Sequence, residues 1–261
     1  MPERVLNSFW LRPGRMTRFL PRFKGIENLQ RFYRRFLDPA VLYRINNFDG
    51  TLKFDVTMTE KTGVMLWHTP QLYEARERKL FCAAITPGCA VLDVGANIGI
   101  YTLLAAKRGA RVFAIEADPR NVAALKHHVA LNGFTSQVSI IEMAAMDGER
   151  AMNIWRDPEY TGRSRVTDEG NTRTVSGRTI DSLSLPAIDV CKMDIEGSEL
   201  RALRGMSDTL RRSPAMKLLI EYNSCSDQRA LLRILRNSFK NISIAGSARP
   251  EPLECNLWCC N

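Results

Sequence analysis

A chain of 261 residues and 29.6 kDa, 45% hydrophobic and 25% charged, has the composition of a soluble globular protein with one large core. No apolar run approaches the ~20 residues that span a bilayer, and the N-terminus lacks the long apolar stretch of a secretory signal, so a cytoplasmic protein is expected. The net charge of +9 is concentrated in one arm, because residues 1–44 carry ten Lys/Arg against Glu3, Glu27 and Asp38. Such an arm suits nucleic acid, an anionic membrane surface or an acidic partner.

The seven cysteines are odd in number and form no C-x-x-C pair, which argues against a disulfide framework and for a reducing compartment. Cys255, Cys259 and Cys260 have no nearby histidine and no zinc-type spacing. They read as strand residues or surface thiols, and no metal is expected.

In chain order, residues 1–25 hold several Pro and Gly and read as irregular. Ile26, Leu29, Phe32, Tyr33, Phe36 and Leu37 recur at helical spacing, and Asp38-Pro39 stops that helix. Its apolar stripe is expected to pack on the main domain, with a membrane-surface helix flanked by Arg31, Arg34 and Arg35 as the alternative. Tyr43 to Val56 reads as a hairpin around Asn46-Asn47 and Asp49-Gly50. Residues 70–86 suit a helix, and Pro87-Gly88 turns the chain into Val91–Val94, an apolar run of buried-strand type. Gly95 and Gly99 bracket a turn into a helix that stops at Gly109.

Arg111 to Glu116 repeats the pattern of an apolar strand ending in a carboxylate. Asp118-Pro119 then supplies an N-cap and first turn for a helix ending at Asn132-Gly133. Val138 to Ala145 is a third strand. Two successive β-α units predict a parallel sheet. Ala151–Trp155 and Thr172–Thr179 around the polar loop 156–170 predict a β-hairpin insertion. The sheet resumes at Ala187–Met193, followed by Asp194-Ile195-Glu196-Gly197 and a helix from about Ser198 to Met206. Ala215–Ile220 is a strand ending in Glu221, Gln228–Phe239 an amphipathic helix, and Ile242–Ile244 with Leu257–Cys260 an antiparallel pair.

The spacing G-x-x-x-G is not the G-x-G-x-x-G of dinucleotide binders, which argues against a pyrophosphate cradle. A strand, a glycine turn and a helix N-terminus suit a small zwitterionic or nucleotide-like cofactor at the carboxyl edge of an open sheet. Asp93, Glu116 and Asp194, with Glu196 behind it, all stand at strand ends and therefore converge there. Glu116 is placed to take both hydroxyls of a ribose, and its bland alternative is a carboxylate at a loop start.

With these motifs together, DVGANIGIYT, AIEADPRNVAALKHHVALNG, GRTIDSL, CKMDIEGSELRALRG and LLIEYN, the chain resembles the FkbM-type family of class I S-adenosylmethionine-dependent methyltransferases. The resemblance covers roughly residues 45–260 and takes in Leu72-Tyr73-Glu74. The glycine turn is general to class I enzymes, whereas Asp194-Ile195-Glu196-Gly197-x-Glu199 is characteristic of this family. Glu116-Ala117 stands where the family often has E-P. The chain accordingly divides into a basic arm, 1–44, and a methyltransferase domain, 45–261.

The resemblance implies an α/β, Rossmann-like, doubly wound seven-stranded sheet, mostly parallel with an antiparallel last strand. It also implies methyl transfer from S-adenosylmethionine to an oxygen of a small molecule, often a sugar or natural product. Carried over by position, Asp93, Gly95, Asn97 and Gly99 face the methionine part of the cofactor. Tyr101 and Thr102 lie just inside the helix, Glu116 binds the ribose, Ala145 lies near the adenine edge, and Asp194 stands where methyl group and acceptor meet. An alcohol acceptor needs a base, and Asp194, Glu196, Glu221 and His68 are the candidates. Glu196 and Glu199 read equally as stabilisers of a helix N-terminus, His68 as a packing residue, and Lys192 as an ion-pair partner of Asp194. Two rival readings are an RNA methyltransferase that uses the basic arm, and a module that binds the cofactor without transferring its methyl group. No aromatic residue beside Asp194 offers a flipped base a stacking partner, which argues against nucleic acid.

Overall fold

Val91, Leu92 and Val94 carry nothing for water to solvate, and all three are fully buried in β4 (Ala90–Val94). Burial of each such side chain is worth roughly 1.5–3 kcal/mol. The computed structural model describes residues 5–7, 26–155, 165–167, 173–222, 227–245 and 255–261, with the side chains of 5–7, 26 and 27 outside that description. Contacts divide the chain into two compact units, residues 1–73 with 156–163, and residues 74–155 with 164–261. The sequence-based division after residue 44 follows charge, whereas packing draws its own boundary after Tyr73.

The first unit contains α1 (Ile26–Phe36), the strands β1 (Val5–Asn7), β2 (Leu42–Phe48) and β3 (Leu52–Thr57), and α2 (Lys61–His68). The hairpin β2–β3 turns at Asp49-Gly50, with φ 47° and 89°, through three residues between the paired Phe48 and Leu52, whereas Asn46 and Asn47 lie within β2 at a shift of register. The apolar stripe of α1 packs within this unit, through Leu29 and Tyr33 against Met58 and Val64, while Phe32 and Phe36 are exposed. Val5–Asn7 pairs in parallel with β2, a strand where the Pro/Gly content predicts irregular chain. The rest of residues 1–25 lies outside the described residues. Among the described residues no helix is long and apolar enough to cross a membrane.

The second unit is built on the seven-stranded sheet β13-β14-β12-β11-β4-β5-β6. Its strands are β4, β5 (Arg111–Glu116), β6 (Val138–Glu142), β11 (Val190–Met193), β12 (Lys217–Tyr222), β13 (Asn241–Ile244) and β14 (Cys255–Cys260). Only β14 runs antiparallel to its neighbours, β12 and β13. The α/β, Rossmann-like sheet with an antiparallel last strand is therefore present, and Cys255, Cys259 and Cys260 are strand residues, as read from the sequence. The registers Val94↔Ile115, Val94↔Met193 and Met193↔Ile220 align the carboxyl ends of four central strands.

Leu92, Val94, Met193, Leu218 and Ile220 pack on one face with Leu203 of α6 (Glu199–Arg204) and Leu231 and Leu235 of α8 (Gln228–Ser238). Side chains alternate along a strand, so Asp93 and its register partner Lys192 point to the opposite face. There they meet α4 (Ile100–Lys107). The other helices of this unit are α3 (Ala75–Ala84), α5 (Pro119–Leu131) and α7 (Ser207–Arg212).

Several boundaries differ from the sequence reading. The strand expected over Val138–Ala145 is two: β6 joins the main sheet, while β7 (Ala144–Ala145) joins a second sheet of order β7-β10-β8-β9. The expected hairpin insertion is β8 (Arg150–Trp155) with β10 (Thr174–Arg178), and β9 (Arg165–Thr167) extends it. Residues 156–164 and 168–172 of its loop lie outside the described residues. The helix expected from 70 begins only at Ala75, because Glu74 adopts a left-handed conformation at φ 43°. The helix expected over 198–206 ends at Arg204, and α7 follows.

Gly205 marks that break, and an added Cβ there would lie 1.9 Å from the Met146 carbonyl oxygen. Gly205→Ala is therefore expected to cost about 1–3 kcal/mol, read as a lowered midpoint in thermal unfolding. Gly148→Ala, where a Cβ meets nothing within 4 Å, is the control. Equal midpoints for the two variants would contradict this packing.

Candidate functional site

The carboxyl ends of β4, β5, β11 and β12 bring the expected acids to one edge, and the turn after β4 supports them. Gly95, Asn97 and Gly99 all have positive φ, at 79°, 51° and 98°. A Cβ on Gly95 would lie 2.0 Å from the Asp194 carbonyl oxygen, so only glycine lets the turns after β4 and β11 pass so closely. The Gly95 and Ala96 amides donate to the Ile115 carbonyl at 2.9 and 3.0 Å. The Asn97 amide donates to Glu116 Oε2 at 2.7 Å, and His128 Nδ1 lies 2.8 Å from the Ile98 carbonyl oxygen.

Asp93 is fully buried, and the Thr102 hydroxyl donates to its Oδ2 at 2.6 Å. Among the described residues its Oδ1 is buried without a protein partner, as is Asn97 Oδ1 in the following turn. Burial pushes the Asp93 carboxyl above the ordinary range, opposed by the Lys192 charge and the Thr102 hydrogen bond. Two unpartnered oxygens next to a glycine turn fit a cationic amine, since buried acceptors of this kind normally have donors.

Glu116 is nearly buried and also organises the turn. Besides Asn97, its Oε1 accepts from the Asp118 amide at 2.8 Å and from Asn121 Nδ2 at 3.4 Å. Burial raises its pKa and those hydrogen bonds oppose the rise. Asn121, one turn into α5, has no sequence signal beyond its place after Asp118-Pro119, and sequence reading misses it.

Lys192 is the cation of this edge. Its Nζ lies 3.2 Å from Asp194 Oδ2, 3.4 Å from the Gly95 carbonyl oxygen and 5.2 Å from the centre of the Tyr101 ring. Burial works against its charge, but Asp194, Asp93 and Glu74 outweigh that and hold the ammonium well above its usual range. The ion pair expected from alternation along β11 is thus present. Tyr101, in the first turn of α4, is fixed from two sides, since its hydroxyl donates to Glu74 Oε2 at 2.7 Å and its ring meets Phe81 edge-on.

Asp194 keeps about a third of its side chain exposed, so it faces the open side of the edge. Glu221, the penultimate residue of β12, is hydrogen-bonded to Asp194. Its carboxyl is pushed far above the ordinary range by burial, then by the negative charges of Asp194, Glu196 and Glu199. A carboxyl so placed holds its proton at neutral pH and donates to Asp194. Glu196 sits in the turn after β11 at φ 54°. Glu199 is fully buried, and its Oε1 accepts from the Ile195 and Gly197 amides at 3.1 Å each, the structural part expected of a carboxylate at a helix start. Ala145 is buried in β7. His68 belongs to the first unit, its Nε2 2.9 Å from the Tyr33 hydroxyl, which matches the packing reading. Among the described residues no group of three His, Cys, Asp or Glu could hold a metal.

The family model described as the methyltransferase FkbM domain matches residues 93–241. Hexuronic acid methyltransferase AglP of Haloferax volcanii is 26% identical over 165 residues, which are 61% of this chain and 66% of that protein. Ribosomal RNA small subunit methyltransferase A of Corynebacterium efficiens is 32% identical over 96 residues, 36% of this chain and 32% of that protein. The chain thus spans less than two thirds of either relative. A solved structure of methyltransferase FkbM from Methylobacillus flagellatus is 21% identical, with 76% of this chain and 54% of that chain covered at a TM-score of 0.48.

The Glu221 proton has a consequence for stability. Its folded pKa lies above the unfolded value near 4.5, so stability from this group is whole below that value and is lost as pH rises. Glu221→Gln keeps a donor toward Asp194 and cannot ionise. Its unfolding midpoint is expected to exceed that of the wild type by at least about 2–4 °C at pH 8.5, with the gap closing toward pH 5. A gap independent of pH would contradict the protonated carboxyl.

Proposed function

We propose that this chain, which belongs to the FkbM methyltransferase family, transfers the methyl group of S-adenosylmethionine to a hydroxyl of a small-molecule acceptor, a sugar or natural product. The observation that supports the reading is the fully buried Asp93 carboxyl group with one oxygen left, among the described residues, without a protein donor beside a glycine turn. S-adenosylmethionine supplies a methyl group on a positively charged sulfonium.

In this reading, Asp93 Oδ1 and Asn97 Oδ1 accept from the amino group of the cofactor's methionine part. The turn from Gly95 to Gly99 brings backbone close to it, and Tyr101 and Thr102 brace the turn from inside α4. Glu116 offers its remaining lone pairs to ribose hydroxyls while holding the Asn97 and Asp118 amides. Ala145 leaves room for the adenine edge. Asp194, fixed by Lys192 and by the Glu221 proton, accepts the proton of the acceptor hydroxyl. Glu196 borders the acceptor side. Alignment of donor and acceptor supplies much of the rate, and proton removal typically adds 10²–10⁴-fold.

The archaeal relative's hexuronic acid substrate, by its printed name, supports a sugar acceptor. RNA methylation is the second reading, favoured by the +7 balance of residues 1–44 and by the ribosomal RNA methyltransferase relative. In the sugar reading the same arm attaches the protein to an anionic surface.

Asp194→Asn keeps size but loses negative charge. With a pool of neutral and acidic sugars as acceptors, its turnover per folded molecule is expected to fall by about 10²-fold or more, with cofactor affinity changed much less. Near-normal turnover by the folded variant would remove Asp194 as base. Cofactor binding by the wild type with no turnover on any sugar, but turnover on RNA, would favour the second reading.

A further inference from the structure

The turn that carries Glu196 also forms one wall of a cleft of about 350 Å³, within the range of small-ligand sites. Arg165 of β9 faces it from one side and Arg201 and Arg204 of α6 from another, with Glu196, Gly197 and Asp227 completing the wall. We propose that this cleft is the anion subsite of the methyl acceptor, in which Arg165 and Arg204 hold a carboxylate or phosphate group of the same molecule whose hydroxyl reaches Asp194. The inference rests on the methyl-transfer reading above, and narrows the acceptor to an anionic one.

Charge favours this assignment. Three guanidinium groups face two carboxylates, and one of the two, Asp227, already caps α8 by accepting from the Ala230 amide at 3.1 Å. Among the described residues neither Arg165 nor Arg204 has a carboxylate partner. A lone surface arginine is ordinarily solvated and carries no message. Here two arginines from separate elements, a strand and a helix, face one concavity beside the turn that follows β11 and begins at Asp194.

Arg165 is also held in place. Its guanidinium carbon lies 4.8 Å from the centre of the Trp155 ring, a cation–π contact that holds the group while its N–H donors stay available. Arginine is suited to carboxylate and phosphate because its donors match two oxygens at once. None of Asp93, Gly95, Asn97, Gly99 and Glu116 lines the cleft, so an acceptor anchored there does not compete with the cofactor for Asp93 and Glu116.

The test is calorimetric titration of the full chain with glucuronate, glucose 6-phosphate and glucose, with and without S-adenosylhomocysteine, on the wild type and on R165Q/R204Q. At least one anion is expected to bind about tenfold or more tighter than glucose, and to lose about tenfold or more in the double variant, while the melting temperature stays put. Glucuronate as the better ligand identifies a sugar acid, and glucose 6-phosphate a phosphorylated acceptor. R165K/R204K, which keeps the charge and loses the fork, should fall between the two. The proposal is overturned if neither anion binds better than glucose, or if the double variant binds them as the wild type does. A chain that binds the anion but never S-adenosylhomocysteine keeps the subsite and loses the methyl-transfer reading.

Discussion

The close passage of two backbones at the carboxyl edge of the sheet governs everything that surrounds it. β4 and β11 are parallel neighbours in register, and both chains must turn where they leave the sheet. The Asp194 amide still bonds the Val94 carbonyl at 3.0 Å, so the ladder runs into the turns themselves. The Asp194 carbonyl then occupies the space in which a side chain at position 95 would stand. Glycine at that position lets the first turn fold back under Glu116, and the second turn swing Asp194 outward toward the open side. Asp93, Asn97, Glu116 and Asp194 owe their common edge to that contact.

The same edge concentrates charge in a way a structural core would avoid. Buried ions normally lose more solvation than pairing returns, yet Asp93, Glu116, Glu199 and Glu221 all stand there against Lys192. The fold manages this by assigning each carboxyl a different means of support. Backbone amides hold Glu116 and Glu199, a hydroxyl and an ammonium hold Asp93, and a proton neutralises Glu221. Left over among the described residues are Asp194, partly exposed, and buried oxygens without a partner on Asp93, Asn97 and Glu199, the first two beside the glycine turn. Those are the groups with capacity for something that is not protein.

Much of this was legible in the sequence because strand ends are local features. A run such as Val91–Val94 or Arg111–Glu116, followed by Gly or Asp-Pro, specifies a strand, its end and the next helix within a dozen residues, and parallel strands then align their ends without further information. What was not legible depends on contacts between distant segments. Nothing near Lys192 announces that Glu74 and the Tyr101 ring will surround it. The split of Val138–Ala145 into β6 and β7 is decided by β10, which captures Ala144 and Ala145 from outside the local pattern. α2 is short and lacks a side-chain cap, and its buried Val64 and Leu66 alternate in a way that suits a strand equally well. Arg201 and Arg204 share a helix face by spacing alone, but their alignment with Arg165 across a cleft comes only from the second sheet.

The Gly95 turn, held against Asp194, is the proposed site of the cofactor. Calorimetry of S-adenosylhomocysteine with Gly95→Ala measures this against Gly88→Ala. Both positions have nearly the same positive φ, 79° and 82°, so both variants carry similar backbone strain, but a Cβ at Gly88 meets nothing within 4 Å. Gly88→Ala should bind as the wild type does, and Gly95→Ala, if folded, should lose at least about tenfold in affinity, equivalent to ~1.4 kcal/mol. A folded Gly95→Ala that binds S-adenosylhomocysteine with wild-type affinity would place the cofactor elsewhere.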